Sequence, residues 1–159
     1  MSAIVIILII INLGSKGWVP PTKAKITASS EWSKTYGPEN ILTQDECWIA
    51  ASGKKDGWLQ FSFPSVTAVR GFRIKTPDSN NYDKNLLKDW KLQTSPSDRE
   101  GDWTTPTGWT GEAAMKECCE WQEFWFENSV SAKFFRLEMN SNQGGDYLTL
   151  GELQFGFVG

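Results

Sequence analysis

Gly57-Trp58-Leu59-Gln60-Phe61-Ser62-Phe63-Pro64 alternates apolar and polar side chains, with Leu59, Phe61 and Phe63 on one parity and Gln60 and Ser62 on the other. Successive side chains of a strand point to opposite faces, so the segment reads as a strand with one face in a core and one toward solvent. The same period recurs on either side of this chain segment's neighbours. Val69-Arg70-Gly71-Phe72-Arg73-Ile74-Lys75 sets Phe72 and Ile74 against Arg73 and Lys75, and Trp90-Lys91-Leu92-Gln93-Thr94 repeats the alternation. Toward the end, Phe135, Leu137 and Met139 alternate with Arg136 and Glu138, then Leu153, Phe155 and Phe157 with Gln154 and Gly156. Between the runs lie Asp78-Ser79-Asn80-Asn81, Ser95-Pro96-Ser97-Asp98, Thr105-Pro106-Thr107-Gly108 and Asn140-Ser141-Asn142-Gln143-Gly144-Gly145, all turn chemistry. No stretch sustains helical periodicity, although Gly111 to Glu117 has room for one turn. Short strands at this spacing predict an all-β sandwich or jelly roll.

The 159 residues suffice for one domain with a hydrophobic core. Nine Trp and nine Phe stand against three Tyr and no His, which removes the commonest general base and metal ligand and with them His-dependent triads. Sixteen basic and nineteen acidic residues give a formal charge of −3 with no basic stripe, so a duplex-tracking nucleic-acid binder is excluded. Membrane binding through apolar loop tips is disfavoured for the same reason, since such tips work beside basic residues. Paired carboxylates such as Glu117 and Glu120 read as a solvated face, and no nucleophile with an activating base is visible.

Residues 1–17 form a separate segment ahead of the domain at 18–159. Ala3 to Ile11 is an unbroken apolar run, too short to span a bilayer in a helix, which takes about 20 residues. It suits the apolar region of a secretory signal, with Gly14, Ser15 and Gly17 as cleavage positions, or a strand that pairs with a protein partner. The first reading places the protein outside the cell, the second in an intracellular assembly. Of the three Cys, Cys118 and Cys119 are adjacent, so at most one ordinary bridge to Cys47 is available.

Pro38-Glu39-Asn40-Ile41-Leu42, then Trp48, then Gly57-Trp58-Leu59-Gln60-Phe61 are similar to the opening loop, Trp and first long strand of the discoidin, or coagulation factor 5/8 type C, domain. Lys88-Asp89-Trp90-Lys91-Leu92-Gln93-Thr94-Ser95 with Gly101-Asp102-Trp103, Phe134-Phe135-Arg136-Leu137, and Leu150-Gly151-Glu152-Leu153-Gln154-Phe155-Gly156 resemble its later motifs, so residues 24–157 are covered. The resemblance implies a galactose-binding-like jelly roll of about eight main antiparallel strands that binds ligands through loops at one end without catalysis. Trp48, Trp58, Trp90 and Trp103 fall on its core positions. Trp109, Trp121 and Trp125 are left open, with one of Phe124 and Trp125 expected outside.

The implied function is lectin-like binding of a glycan or glycoprotein, as in adhesion, with a protein-interaction subunit as the alternative. Sugar recognition needs an aromatic face for the C–H side of a pyranose and polar groups for its hydroxyls. The loops offer Trp32 and Tyr36 with Glu31 and Lys34, then Asn81 and Tyr82 with Asn80, then Asp146 and Tyr147 with Asn142 and Gln143. The resemblance also implies a structural calcium. Its Glu before the last strand is Glu152, its early Asp is replaced by Thr43, and Asp45 and Glu46 follow as hard oxygen donors. The disulfide that ties the termini of many extracellular members is absent.

Overall fold

The computed structural model describes residues 17–77, 83–114 and 120–158. The apolar run, Asn80, Asn81, Tyr82, Cys118 and Cys119 lie outside the described residues. Among the described residues nine strands follow in order: β1 Trp18–Val19, β2 Lys25–Ala28, β3 Trp48–Ile49, β4 Gly57–Lys75, β5 Asp89–Ser95, β6 Thr110–Glu112, β7 Trp121–Met139, β8 Thr149–Leu150 and β9 Glu152–Phe157. Short 3-10 turns occupy Lys34–Tyr36, Pro38–Leu42 and Asp83–Asn85. Of Gly111 to Glu117, which has room for one helical turn, the first residues are strand, since Thr110–Glu112 pairs with Asp89, Trp90 and Lys91 of β5, and residues 115–117 lie outside the described residues.

The two 19-residue strands, β4 and β7, organise the molecule. The first half of β4, Gly57 to Ser62, pairs with Phe134 to Met139 of β7 and, on its other side, with β2. That half of β7 continues to β5 and then β6. After an irregularity between Ser62 and Thr67, the second half of β4 pairs with the opening half of β7 and with β9, which carries β1 at its edge. Pro64 sits in this break, where its lack of an N–H costs no ladder bond. All these pairings are antiparallel, and the two layers they make share β4 and β7.

The alternation read from sequence fixes which side chains meet between the layers. Leu59, Phe61, Phe72, Ile74, Leu92, Phe135, Leu137, Leu153 and Phe155 are all fully buried. Phe61 of one layer meets Phe155 of the other edge-on at 4.9 Å, and Phe72 meets Trp90 at 4.7 Å. Trp109 is buried and stacks on Phe126 at 4.2 Å. Each buried Phe contributes about 1.5–3 kcal/mol, with roughly 0.5–1.5 kcal/mol more for such ring pairs.

Trp48 and Trp90 take the core positions expected of them. Trp58 and Trp103 do not: both are half-buried on the outside of the layer, one on each side of the Arg136 guanidinium at 4.2 and 4.3 Å. Arg136 also donates to Gln60 Oε1 at 2.8 Å. A cation between two rings explains why these Trp residues are covered without entering the core. Phe124 packs against the core and Trp125 points outward, as expected of neighbours on one strand.

Candidate functional site

Three aromatic rings from two loops meet at one end of the sandwich. Trp32 lies 5.2 Å from Tyr36 and 6.2 Å from Tyr147, ring centre to ring centre, and is 49% exposed. The structure therefore brings together three of the residues proposed from sequence, although more than a hundred positions separate Trp32 from Tyr147. Asp146, Glu31 and Lys34 are exposed beside them in the chain.

The first loop is held from below. Trp32 N donates to Ile49 O at 2.8 Å, which ties the loop to β3. Buried Trp48 donates its indole N–H to Ser30 O at 3.0 Å, and the Ser30 hydroxyl accepts from Ala51 N. Asn40 donates through its amide nitrogen to Thr35 O at 2.6 Å and Cys47 O at 2.9 Å, pinning the two 3-10 turns to the start of β3. An Asn suits this task because one planar amide group offers two donors at a fixed angle.

The second loop is built from amides. Asn142 Nδ2 donates to Gly145 O and Tyr147 O at 2.8 and 2.7 Å, and its Oδ1 accepts from Gly144 N. Asn85 Oδ1 accepts from Tyr147 N at 3.2 Å. Gln143 Nε2 reaches Leu87 O and Ala113 O at 3.0 and 2.6 Å. The backbone carrying Tyr147 is thereby fixed at both its N–H and its carbonyl. Asn85 and Asn40 are positioning residues that sequence reasoning missed. Asn40 was marked only as part of the opening-loop motif, and the signal for Asn85 was the Asn-rich composition of the loops, which reads equally well as turn chemistry.

Asp45, Glu46 and Glu152 line a small cleft together with Lys75, Thr76, Pro77 and Gly151. Thr43 does not line it; it is exposed at the end of the Pro38–Leu42 turn. Lys75 Nζ stands 3.9 Å from Glu152 Oε1, so a fixed cation already faces the carboxylate. Among the described residues no three His, Cys, Asp or Glu side chains are grouped to hold a metal ion. Calcium takes six to eight oxygens, more than the side chains of this cleft supply by themselves.

No helix among the described residues is long and apolar enough to cross a membrane. Comparison with curated proteins finds no match. Solved structures are similar in fold. The family 32 carbohydrate-binding module of NanJ from Clostridium perfringens, in complex with galactose, has a TM-score of 0.70 at 12% identity, over 87% of this chain and 97% of that one. A further module of this type from a family 31 glycoside hydrolase of the same organism gives 0.74 at 17%, over 91% and 97%. Chitosan-binding module 1 of the Paenibacillus sp. IK-5 chitosanase/glucanase gives 0.67 at 18%, over 84% and 94%. At such identities the likeness establishes the jelly-roll fold. The F5/8 type C domain description matches residues 25–153, from the first residue of β2 into β9, and the chain belongs to that family.

Proposed function

We propose that this protein is a non-catalytic carbohydrate-binding module that takes a sugar on the Trp32, Tyr36 and Tyr147 cluster. The observation that carries the reading is a half-exposed indole flanked by two phenol rings on loops whose backbones are tied down. A preformed aromatic face stacks on the C–H side of a pyranose with little ordering cost on binding. Glu31, Lys34 and Asp146 then offer charged groups for hydroxyls. Support comes from structural relatives solved with galactose and with GalNAc-β-1,3-galactose. The chain contains no His, and the cluster holds aromatic rings rather than a nucleophile with a base, in keeping with binding alone. Glycans of this kind are met outside the cell, where we place the protein.

The test is titration of galactose, N-acetylgalactosamine and glucosamine oligomers by calorimetry. The wild type binds at least one of them, and Trp32→Ala weakens that binding tenfold or more, about 1.4 kcal/mol, with an unchanged melting temperature. Failure to bind any sugar on a broad glycan array, or binding unaffected by Trp32→Ala, overturns the reading.

We further propose that Lys75 occupies, as a fixed cation, the place a calcium would take beside Glu152. The melting temperature is then the same with millimolar calcium or with chelator. A rise that scales with calcium concentration would show instead that the cleft takes the ion.

A further inference from the structure

The outer face of the layer formed by β1, β9 and the second halves of the β4–β7 pair carries a second aromatic surface, on the flank of the sandwich rather than among its loops. Trp18, Gly156, Gly71 and Trp125 stand in one row across four strands. With two glycines in the middle of the row, the indoles from its ends lie over the sheet and meet at 4.3 Å. A Cβ on Gly156 would come within 3.3 Å of Trp125 and 3.4 Å of Trp18, so the glycine pair is what lets the rings lie down. Cations alternate with the rings. Arg70 lies 5.6 Å from the Trp125 ring, Arg73 5.5 Å from Trp18 and 4.1 Å from Trp121, and Lys75 5.6 Å from Trp121.

Clamping the edge strand β1 would need Trp18 to be covered, but it does not need Trp125 to remain 48% exposed with Arg70 beside it. Arg70 makes no hydrogen bond or ion pair with any described residue. Arg73 donates twice to Gln154 Oε1, at 2.9 and 2.6 Å, which is a neutral acceptor that orients the guanidinium and leaves its charge in place. Lys75 is answered by Glu152, and Arg73 stands opposite Glu123, which also accepts from the Trp125 indole N–H at 3.4 Å. Arg70, Arg73 and Lys75 against Glu123 and Glu152 leave these residues with one positive charge in excess, on a protein whose overall charge is −3. From Trp121 to Trp125 the face runs about 13 Å at 3.3 Å per residue, the length of an oligosaccharide rather than a single ring.

We propose that this face is a second glycan-binding surface, for an anionic polysaccharide whose sugar rings lie on Trp125 and whose acidic groups meet Arg70 and Arg73. Rings supply the stacking and guanidinium groups the paired donors that carboxylate or sulfate accepts.

The experiment is affinity gel electrophoresis at low salt, with polygalacturonate as the carboxylate probe, dextran sulfate as the sulfate probe and neutral dextran as control. The expected result is retardation by at least one acidic polymer and not by dextran, weakening as salt is added. Trp125→Ala and Arg70→Glu reduce it tenfold or more, while Trp32→Ala leaves it intact. Arg70 is exposed, so its reversal keeps the test sound if removal of Trp125 disturbs the fold. Calorimetry of both variants with the sugar bound at the loop cluster shows unchanged affinity, which separates the two sites. Absence of retardation, retardation equal in Arg70→Glu, or its loss in Trp32→Ala overturns the proposal. So does a dimer abolished by Trp125→Ala without polysaccharide binding, which would assign the face to a second copy of the chain.

Discussion

Gly145 has no room for a side chain: a Cβ there would run into the Asn85 amide. That amide accepts from Tyr147 N, so the glycine is coupled to the placement of a ring in the proposed sugar site. Gly145→Ala is expected to cost about 1–3 kcal/mol in urea unfolding and to weaken sugar binding as Asn85 is pushed off Tyr147. Unchanged binding would show that the ring is placed without Asn85. Cys47 sets a pH dependence. Burial pushes its thiol above the ordinary range, and the charge of Glu46 pushes the same way, against a hydrogen bond with Thr149. The folded state therefore keeps the proton where the unfolded chain loses it. The stability this gives is complete below the unfolded thiol value of about 8.5 and is lost as pH rises through the folded one. Urea midpoints measured from pH 8 upward should fall more steeply for the wild type than for Cys47→Ala; parallel curves would remove the thiol from the account.

Strands and the stacks between them decide stability at the next scale. The Trp58, Arg136 and Trp103 stack buries a guanidinium to 7% exposure, and its link to Glu100 at 3.8 Å adds little because that carboxylate is open to water. Arg136→Ala removes two ring contacts and the bond to Gln60, for an expected loss of about 2–4 kcal/mol in chemical denaturation. A loss below that of an ordinary surface substitution would mean that the Trp residues pack as well without the cation. This stack also marks where the sequence ceased to be legible. Alternation in Leu59, Phe61 and Phe63, or in Phe72 and Ile74, shows one face entering a core because parity is local. Trp58 shares the parity of Gln60 and Ser62, which points it away from Leu59 and Phe61; the core position came from the resemblance, and the stack stayed hidden because its partner Arg136 arrives from another strand. The continuity of β4 past Pro64 and of β7 through Glu127, Asn128 and Ser129 is likewise hidden, since those residues carry turn chemistry and only pairing to a partner strand extends them. The loop cluster was reached through family resemblance rather than physics. Nothing in Trp32 or Tyr147 alone states that the two meet.

Across the whole molecule, β4 and β7 belong to both layers, so neither layer has an independent set of strands. Hydrogen exchange should find the slowest amides in Leu59, Phe61, Phe135 and Leu137, where these strands are flanked on both sides, and fast ones in the edge strands β1 and β6. Early exchange in the second half of β4 while the first half stays protected would show that the layers open separately. Pairing Gly57 with Met139 closes a long loop before any reward, and folding in milliseconds to seconds is expected from such topology.

The run of β4 has another consequence. Its two ends both lie by the aromatic loops, Gly57 beside Ser29 and Trp48, and Lys75 bonded through its carbonyl to Gly151 N. Its bend is at the far end, where Val158 N meets Ala68 O. Trp18 lies opposite Gly156, so the described chain comes in and goes out side by side, away from Trp32. A tether or neighbouring domain joined at either of these points would hold the protein like a bulb on its stem, with the loops of Trp32 and Tyr147 presented outward.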